Sequence, residues 1–175
     1  MKNNVKQLTI TALFAALTCV ATMIIKIPTP GTGGYVHLGD AFVVLSGIFL
    51  GPVYGGLAAG IGSALSDLLG GYFQYVPITF FVKGVIAVVV YFVYHKLTKA
   101  IKVPVIKCAI SGIFSTILVA LLYFVFEVFM YGPGAAASIP ANLIQGLSGL
   151  IISSILLPVL NPVFVKNAPE LAENN

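Results

Sequence analysis

The stretch Gly31-Thr-Gly-Gly-Tyr-Val-His-Leu-Gly-Asp40 is the first polar break in a chain that is otherwise strongly apolar. It contains one of the two histidines, His37, and one of the five acidic residues, Asp40. We predict that it belongs to an external loop and that the other costly polar side chains are folded toward the same side of a membrane. The sequence thus indicates a small integral membrane protein that captures a solute beneath this loop.

The composition supports a membrane protein and argues against several other classes. Hydrophobic residues make up 59% of the chain and charged residues only 8%, whereas a soluble domain carries about 25% charged residues. At 175 residues the chain is predicted to be one domain, 1–175. The net charge of +4 is spread too thinly for a nucleic-acid-binding face. Cys19 and Cys108 form no CxxC pair, so neither a disulfide nor a metal or cofactor site is expected.

The apolar residues fall into six segments, which predict an all-α bundle of six transmembrane helices. The predicted spans are 8–25, 39–50, 53–69, 78–94, 108–131 and 141–160. Pro28 and Pro30 should end the first helix, Gly51-Pro52 should separate the second from the third, and Asn161-Pro162 should close the sixth.

The lysines predict the orientation in the membrane. Six spans leave both termini on one side, and seven lysines fall on that side: Lys2, Lys6, Lys96, Lys99, Lys102, Lys107 and Lys166. Only Lys26 falls in a loop on the other side. By the positive-inside rule, both termini are predicted to be cytoplasmic.

Small residues spaced four apart predict close helix packing. The series Gly47, Gly51 and Gly55, with Gly56 and Gly60, indicates that the second and third helices form a tight hairpin. The pair Ala12 and Ala16 in the first helix allows ordinary packing within the chain or a docking face for a partner protein.

Polar residues that this topology places in the outer half of the membrane form the candidate substrate site. A charged residue within a bilayer costs about 2.5–3.5 kcal/mol on insertion scales, so each should have a partner or a function. With the aromatic and loop residues nearby, the candidate site residues are Tyr35, His37, Asp40, Asp67, Tyr72, Tyr75, Lys83, Glu127, Asn142 and Gln145. Because the inner half has almost nothing comparable, the pattern argues against an aqueous channel through this chain alone.

Each candidate residue also has a structural explanation. Asp40 could cap a helix, and His37 could be exposed in its loop. Asp67 or Glu127 could form an intramembrane ion pair with Lys83. The amides Asn142 and Gln145 could tie helices together, and Tyr35, Tyr72 and Tyr75 could form an interfacial belt.

The sequence contains no motif of the common catalytic classes. There is no GxxxxGK[ST] loop, no HExxH and no GxSxG elbow. We therefore expect a protein that is not an enzyme, whose transport energy comes from an ion gradient or from another protein. Aromatic rings, an amide pair, a lysine and carboxylates together suit a small, flat, hydrogen-bonding molecule such as a pyrimidine or a pyridine.

Three stretches resemble the S components of energy-coupling factor (ECF) vitamin transporters of bacteria and archaea. They are Tyr-Val-His-Leu-Gly-Asp at 35–40, Gly-Ile-Phe-Leu-Gly-Pro-Val-Tyr-Gly-Gly at 47–56 and Asp-Leu-Leu-Gly-Gly-Tyr at 67–72. The resemblance covers nearly the whole chain and is most specific over 38–72. Ala12 and Ala16 resemble the spacing with which this family docks its transmembrane coupling subunit.

The resemblance implies a multi-pass subunit of a prokaryotic plasma membrane that binds a vitamin or precursor at its outer face. It implies partners as well: one transmembrane coupling protein and two ABC-type ATPases, with the subunit toppling in the membrane to deliver its ligand. The branch it most resembles points to a pyridoxine-like or hydroxymethylpyrimidine-like ligand, with riboflavin next. The absence of tryptophan argues against a thiamine-type site.

Two other hypotheses remain open on the sequence. A stand-alone secondary transporter would use Asp67, Glu127 and Lys83 as a proton relay. A structural scaffold protein would bind no small molecule at all.

Overall fold

The part of the chain that the structure describes folds into five long helices joined by short connections. A computed structural model describes residues 2–28 and 35–167, and the side chains within 5–28 and 35–166. The elements are α1 (Lys2–Ile24), β1 (Ile27–Pro28), β2 (Tyr35–Val36), α2 (Asp40–Gly70), α3 (Val76–Phe92), α4 (Pro104–Tyr131) and α5 (Ile139–Asn167). A π-helical turn, Val93–Leu97, extends α3, and a 3-10 helix, Gly132–Ser138, joins α4 to α5. The opening stretch lies partly outside the described residues.

The helix α2 is where the structure departs most from the sequence prediction. It runs as one element across the predicted second and third helices, but its backbone breaks at Gly51, where φ is 77° and ψ is −178°. That conformation is essentially restricted to glycine, so the chain reverses there without a loop. Gly55 packs against the first half of α2, since a Cβ on Gly55 would stand 2.5 Å from the Ser46 carbonyl oxygen. The predicted hairpin is thus present inside a single broken helix.

The other helices begin or end beyond their predicted bounds. The basic N-terminus is already helical from Lys2, and α3 begins at Val76, two residues before the predicted start. The prediction that Asn161-Pro162 ends the last helix is wrong, because α5 contains Pro158 and Pro162 and continues to Asn167. The end of α5 is held by packing: Phe164 stacks on Phe49 of α2 with ring centroids 4.3 Å apart.

The distribution of side chains is that of a protein surrounded by lipid. Large apolar residues such as Val53, Phe81 and Phe129 are exposed, whereas charged and amide side chains including Lys83 and Gln145 are buried. Four segments are long and apolar enough to cross a membrane: Val5–Ile24, Asp40–Gly70, Val76–Leu97 and Pro104–Lys166, the last of which contains both α4 and α5. The chain is therefore an all-α protein of membrane type. The count of six crossings, the cytoplasmic termini and the single domain 1–175 stay predictions.

Candidate functional site

A buried polar cavity of about 20 Å³ lies among α2, α3, α4, α5 and the short segment before α2. Its lining residues are Tyr35, His37, Asp67, Tyr75, Thr79, Tyr123, Glu127, Asn142 and Gln145. Tyr35 and His37 come from the segment before α2, and the others lie at the C-terminal ends of α2 and α4 or at the N-terminal ends of α3 and α5. Antiparallel helices bring those ends together, and so the cavity lies at one end of the bundle.

One wall of the cavity is supported by an ion pair within the bundle. The Lys83 ammonium of α3 pairs with the Asp40 carboxylate of α2. The second Asp40 oxygen accepts a hydrogen bond from Gln145 Nε2 of α5 at 3.1 Å. All three side chains are at most 1% exposed, so each charge is satisfied inside the protein. The network fixes three helices relative to one another beside the cavity.

The Asp67 carboxylate lies near the loop side of the cavity. Its Oδ1 accepts a hydrogen bond from the Tyr35 hydroxyl at 2.6 Å. Burial and the neighbouring carboxylate raise the pKa of Tyr35 well above its ordinary value, so this hydroxyl remains a donor. Asp67 Oδ2 is buried and has no hydrogen-bond partner in 2–28 or 35–167. The Thr79 hydroxyl is close to this carboxylate but hydrogen-bonds with Tyr123 at 3.0 Å.

A second carboxylate, Glu127 of α4, lies across the cavity and is 2% exposed. It accepts hydrogen bonds from the Tyr75 hydroxyl at 3.0 Å and from the Ser138 hydroxyl. Asn142 Nδ2 in turn donates to Ser138 Oγ at 3.4 Å. These contacts orient Glu127 and Asn142 while leaving both side chains on the cavity surface.

His37 is held as a neutral ring. Its Nδ1 accepts a hydrogen bond from the Gly39 backbone N–H at 3.1 Å, and Gln145 Oε1 accepts one from the backbone N–H of His37 at 3.3 Å. Burial lowers the pKa of His37 to about 3, in spite of the nearby Asp40 carboxylate. The ring therefore adds no positive charge to the cavity at neutral pH.

Lys26 and Tyr72 lie on the loop side of Tyr35. Lys26 Nζ stands 4.5 Å from the Tyr35 ring centroid and 5.2 Å from that of Tyr72, and it donates to the Ser66 carbonyl oxygen at 3.4 Å. The two tyrosine rings are 4.5 Å apart. These contacts hold the base of the loop against the α2–α3 turn.

The structure brings most of the predicted site residues together. Seven of them line the cavity: Tyr35, His37, Asp67, Tyr75, Glu127, Asn142 and Gln145. Asp40 and Lys83 lie behind the lining as a mutual ion pair, and Tyr72 packs on Tyr35. A role for any of them in substrate binding remains a prediction.

Two lining residues escaped the sequence analysis, Thr79 and Tyr123. Thr79 precedes Lys83 by four residues and Tyr123 precedes Glu127 by four, and residues so spaced share one face of a helix. That spacing from a predicted site residue was the signal that could have found them.

Several of the structural explanations can now be decided. Lys83 pairs with Asp40, so the predicted pairing with Asp67 or Glu127 is wrong. The side chain of Asp40 does not cap α2, and His37 is buried, not exposed. Asp40 lies level with Lys83, two turns inside α3. Gln145 does join helices, through Asp40.

The outward face of α1 carries Ala12 and Ala16, both exposed. The opposite face contacts the bundle, and there a Cβ on Gly62 would stand 2.3 Å from the Ala15 carbonyl oxygen. The Ala12–Ala16 pair thus takes no part in packing within the described chain.

As for metals, no group of three His, Cys, Asp or Glu side chains is placed to hold an ion in the residues that the structure describes.

Comparison with known proteins connects this fold and cavity to one family. The family model of the ECF-type riboflavin transporter S component matches residues 2–162. The chain belongs to this family. The chain is accordingly a transporter subunit, not an enzyme, and the resemblance noted in its sequence is confirmed.

Individual proteins are also similar to this S component. One is a Pyrococcus woesei protein named "Uncharacterized protein in gap 3'region", 33% identical over 76% of this chain and 86% of its own length. Another, the thiamine precursor transporter HmpT of Lactococcus lactis subsp. cremoris (strain MG1363), is 24% identical over 94% of this chain and 93% of its own.

A solved structure has the same fold. It was described under "Structure and mechanism of the S component of a bacterial ECF transporter" and superposes with a TM-score of 0.65 at 23% identity. The match covers 94% of this chain and 99% of that one.

Proposed function

We propose that this S component captures a vitamin or vitamin precursor in the buried cavity, with a pyridoxine-like or hydroxymethylpyrimidine-like compound first and riboflavin next. The observation that carries the proposal is the convergence of seven predicted polar residues on one cavity. Ligand pockets generally range over about 300–1,000 Å³, whereas this cavity has a volume of about 20 Å³, so its lining must move apart to admit such a compound. The similarity to a thiamine precursor transporter supports a small heterocyclic ligand.

Delivery to the cytoplasm is proposed to need partners. A transmembrane coupling protein would dock on the exposed Ala12–Ala16 face of α1, and two ABC-type ATPases would supply the energy for toppling. The position of the buried charges supports this. The buried charged side chains of the described residues, Asp40, Asp67, Lys83 and Glu127, all lie in or beside the cavity. The rest of the bundle therefore offers no charged path through the membrane.

The stand-alone proton-coupled transporter gains no support from these contacts. That hypothesis needs Lys83 to relay protons between Asp67 and Glu127, but Lys83 is held by Asp40. Each of the two acids is instead bound by a tyrosine.

The proposal is tested by identifying the ligand and then following its uptake. Mass spectrometry of the chain purified in detergent should find a co-purified vitamin-like compound, and isothermal titration should then measure its binding. Vesicles that contain this chain alone should bind the compound without accumulating it. Accumulation driven by a proton gradient in those vesicles would favour the secondary transporter, and the absence of any bound small molecule would favour a scaffold.

A further inference from the structure

Asp67 differs from the other buried acids in having an oxygen that no described group satisfies. Asp40 is neutralised by Lys83 and bound by Gln145, and both oxygens of Glu127 accept hydrogen bonds from hydroxyls. Asp67 has one bound oxygen, Oδ1, while Oδ2 is buried without a partner among the described residues. A buried acceptor left unpaired is costly, so an oxygen of this kind on a cavity wall favours a donor from a ligand.

The charge of the cavity also favours a hydrogen-bond donor on the ligand. Two carboxylates, Asp67 and Glu127, belong to its lining, and no lysine or arginine does. His37 is neutral because burial lowers its pKa to about 3. The nearest cations are engaged elsewhere, Lys83 with Asp40 and Lys26 with the Ser66 carbonyl oxygen and two tyrosine rings. A carbonyl oxygen of a ligand carries partial negative charge. Placed against the Asp67 carboxylate, it would be repelled and would find no hydrogen-bond donor there.

We propose that Asp67 is the specificity-determining residue of the cavity, and that its Oδ2 accepts a hydrogen bond from an N–H group on a nitrogen heterocycle. The inference rests on the proposed function and narrows its substrate to heterocycles that present an amino group at this edge, as an aminopyrimidine does. An isoalloxazine ring, as in riboflavin, carries a single ring N–H that lies between two carbonyl oxygens, so placing this N–H on Asp67 also sets two acceptors beside the carboxylate. The cavity therefore favours an amino group over an isoalloxazine ring.

Other groups in the lining suit the rest of such a ligand. The rings of Tyr75 and Tyr123 are 6.5 Å apart and offer apolar faces to a flat ring. Asn142 and Gln145 expose amides that can bind a hydroxyl substituent. The Tyr35 hydroxyl fixes the Asp67 carboxylate by binding its other oxygen, and Tyr35 is thus a positioning residue.

The test compares two probes that differ in one group. The full chain in detergent micelles is titrated calorimetrically with a hydroxymethyl-substituted aminopyrimidine and with its methoxy counterpart, in which a methoxy oxygen replaces the amino nitrogen and no N–H remains. A hydrogen bond to a charged group is worth a factor of about 10 to 100 in affinity. We expect the aminopyrimidine to bind more tightly by that factor, and riboflavin to bind more weakly than the aminopyrimidine.

Two variants locate the preference at Asp67. In Asp67→Asn the advantage of the aminopyrimidine should fall to less than about 3-fold, because the amide offers both a donor and an acceptor. Ser111→Ala is the control: it removes a side-chain hydrogen bond to the Lys107 carbonyl oxygen away from the cavity and should retain the preference. The melting temperature of each variant in detergent shows that it is folded, and the wild-type comparison needs no variant.

The outcomes separate this inference from the proposed function. Tighter binding of the methoxypyrimidine or of riboflavin by the wild-type chain would overturn the inference and leave a vitamin-binding subunit. An unchanged preference in Asp67→Asn would also overturn it, because another residue would then read the amino group. No binding of any of the three probes would count against the proposed function itself.

Discussion

At the scale of single residues, the buried ion pair of Lys83 and Asp40 is the contact whose loss should lower the unfolding free energy most. The sequence predicted that Lys83 needs a partner in the membrane, but it could not name Asp40. The position of Asp40 beside Lys83 depends on the break in α2, and no local sequence pattern encodes that position.

Lys83→Met should destabilise the protein strongly, because it leaves the Asp40 carboxylate buried with only Gln145 as a partner. Removing one member of a buried pair costs about 3–5 kcal/mol of unfolding free energy. In the double variant Asp40→Asn with Lys83→Met no net charge is left, so much of that stability should return. The measurement is denaturant unfolding in detergent, and a double variant no more stable than Lys83→Met would show that the pair is not the cause.

His37 predicts a dependence of stability on pH. Its pKa is about 3 in the folded chain against an ordinary 6.5, so below the ordinary value the unfolded chain binds a proton that the folded chain excludes. Stability is therefore full above the ordinary pKa and falls as the pH drops toward the folded value, by at most about 1.4 kcal/mol per pH unit.

The measurement is the loss of unfolding free energy between about pH 7.5 and about pH 5, which should be smaller in His37→Asn than in the wild type. Asparagine retains an oxygen that can accept the Gly39 N–H, as His37 Nδ1 does. The groups that face His37 are Asp40, Lys83 and Lys26, and none is altered in this variant. Equal losses in the two proteins would assign the pH effect to other groups.

At the scale of helices, the sequence predicted where the chain reverses better than how it does so. Gly51-Pro52 was identified as a break, and the structure has one there. Helical bounds were less predictable, because tertiary packing extends a helix past a local stop signal. In α5, Phe164 stacks on Phe49 and the helix continues beyond Pro162.

Gly51→Ala should weaken the break in α2. With φ at 77° and ψ at −178°, a side chain at this position is strained by about 1–3 kcal/mol, and the unfolding free energy should fall by that amount. Gly84→Ala in α3 is the matched control, since its added Cβ would come no closer than 3.4 Å to the Gly56 oxygen. That change should be neutral or slightly stabilising, because alanine favours a helix. If both variants lost the same stability, strain at Gly51 would not be the reason.

At the scale of the whole molecule, composition alone predicted a protein whose apolar side chains face the lipid and whose charged side chains are buried. Summed hydropathy is a property of many residues, so single errors do not change it. The cavity was predicted less completely. Tyr35, Asp67, Glu127 and both amides were predicted because they lie in the loop or near helix ends. Thr79 and Tyr123 were missed, because an isolated threonine or tyrosine in an apolar helix often serves in packing or in local hydrogen bonds.

The exposed face of α1 gives a prediction that separates binding from transport. Ala12→Phe or Ala16→Phe would place a large ring on a face that packs against nothing in the described chain, and close approach of a partner helix needs small residues. Uptake in cells or in vesicles that also contain the coupling protein and ATPases should fall by about 10-fold or more, a loss of about 1.4 kcal/mol in docking. Ligand affinity of the purified chain should stay unchanged.

The matched control is Val85→Phe, which enlarges an exposed side chain on α3 and should leave uptake intact. Neither alanine contacts the cavity, so a loss of ligand affinity in the α1 variants would place α1 in the binding machinery instead of the docking surface. Loss of uptake in all three variants would point to a general effect of bulk in the lipid-facing surface. Only the first pattern, with transport lost and binding kept, fits a subunit that captures its ligand alone and moves it with partners.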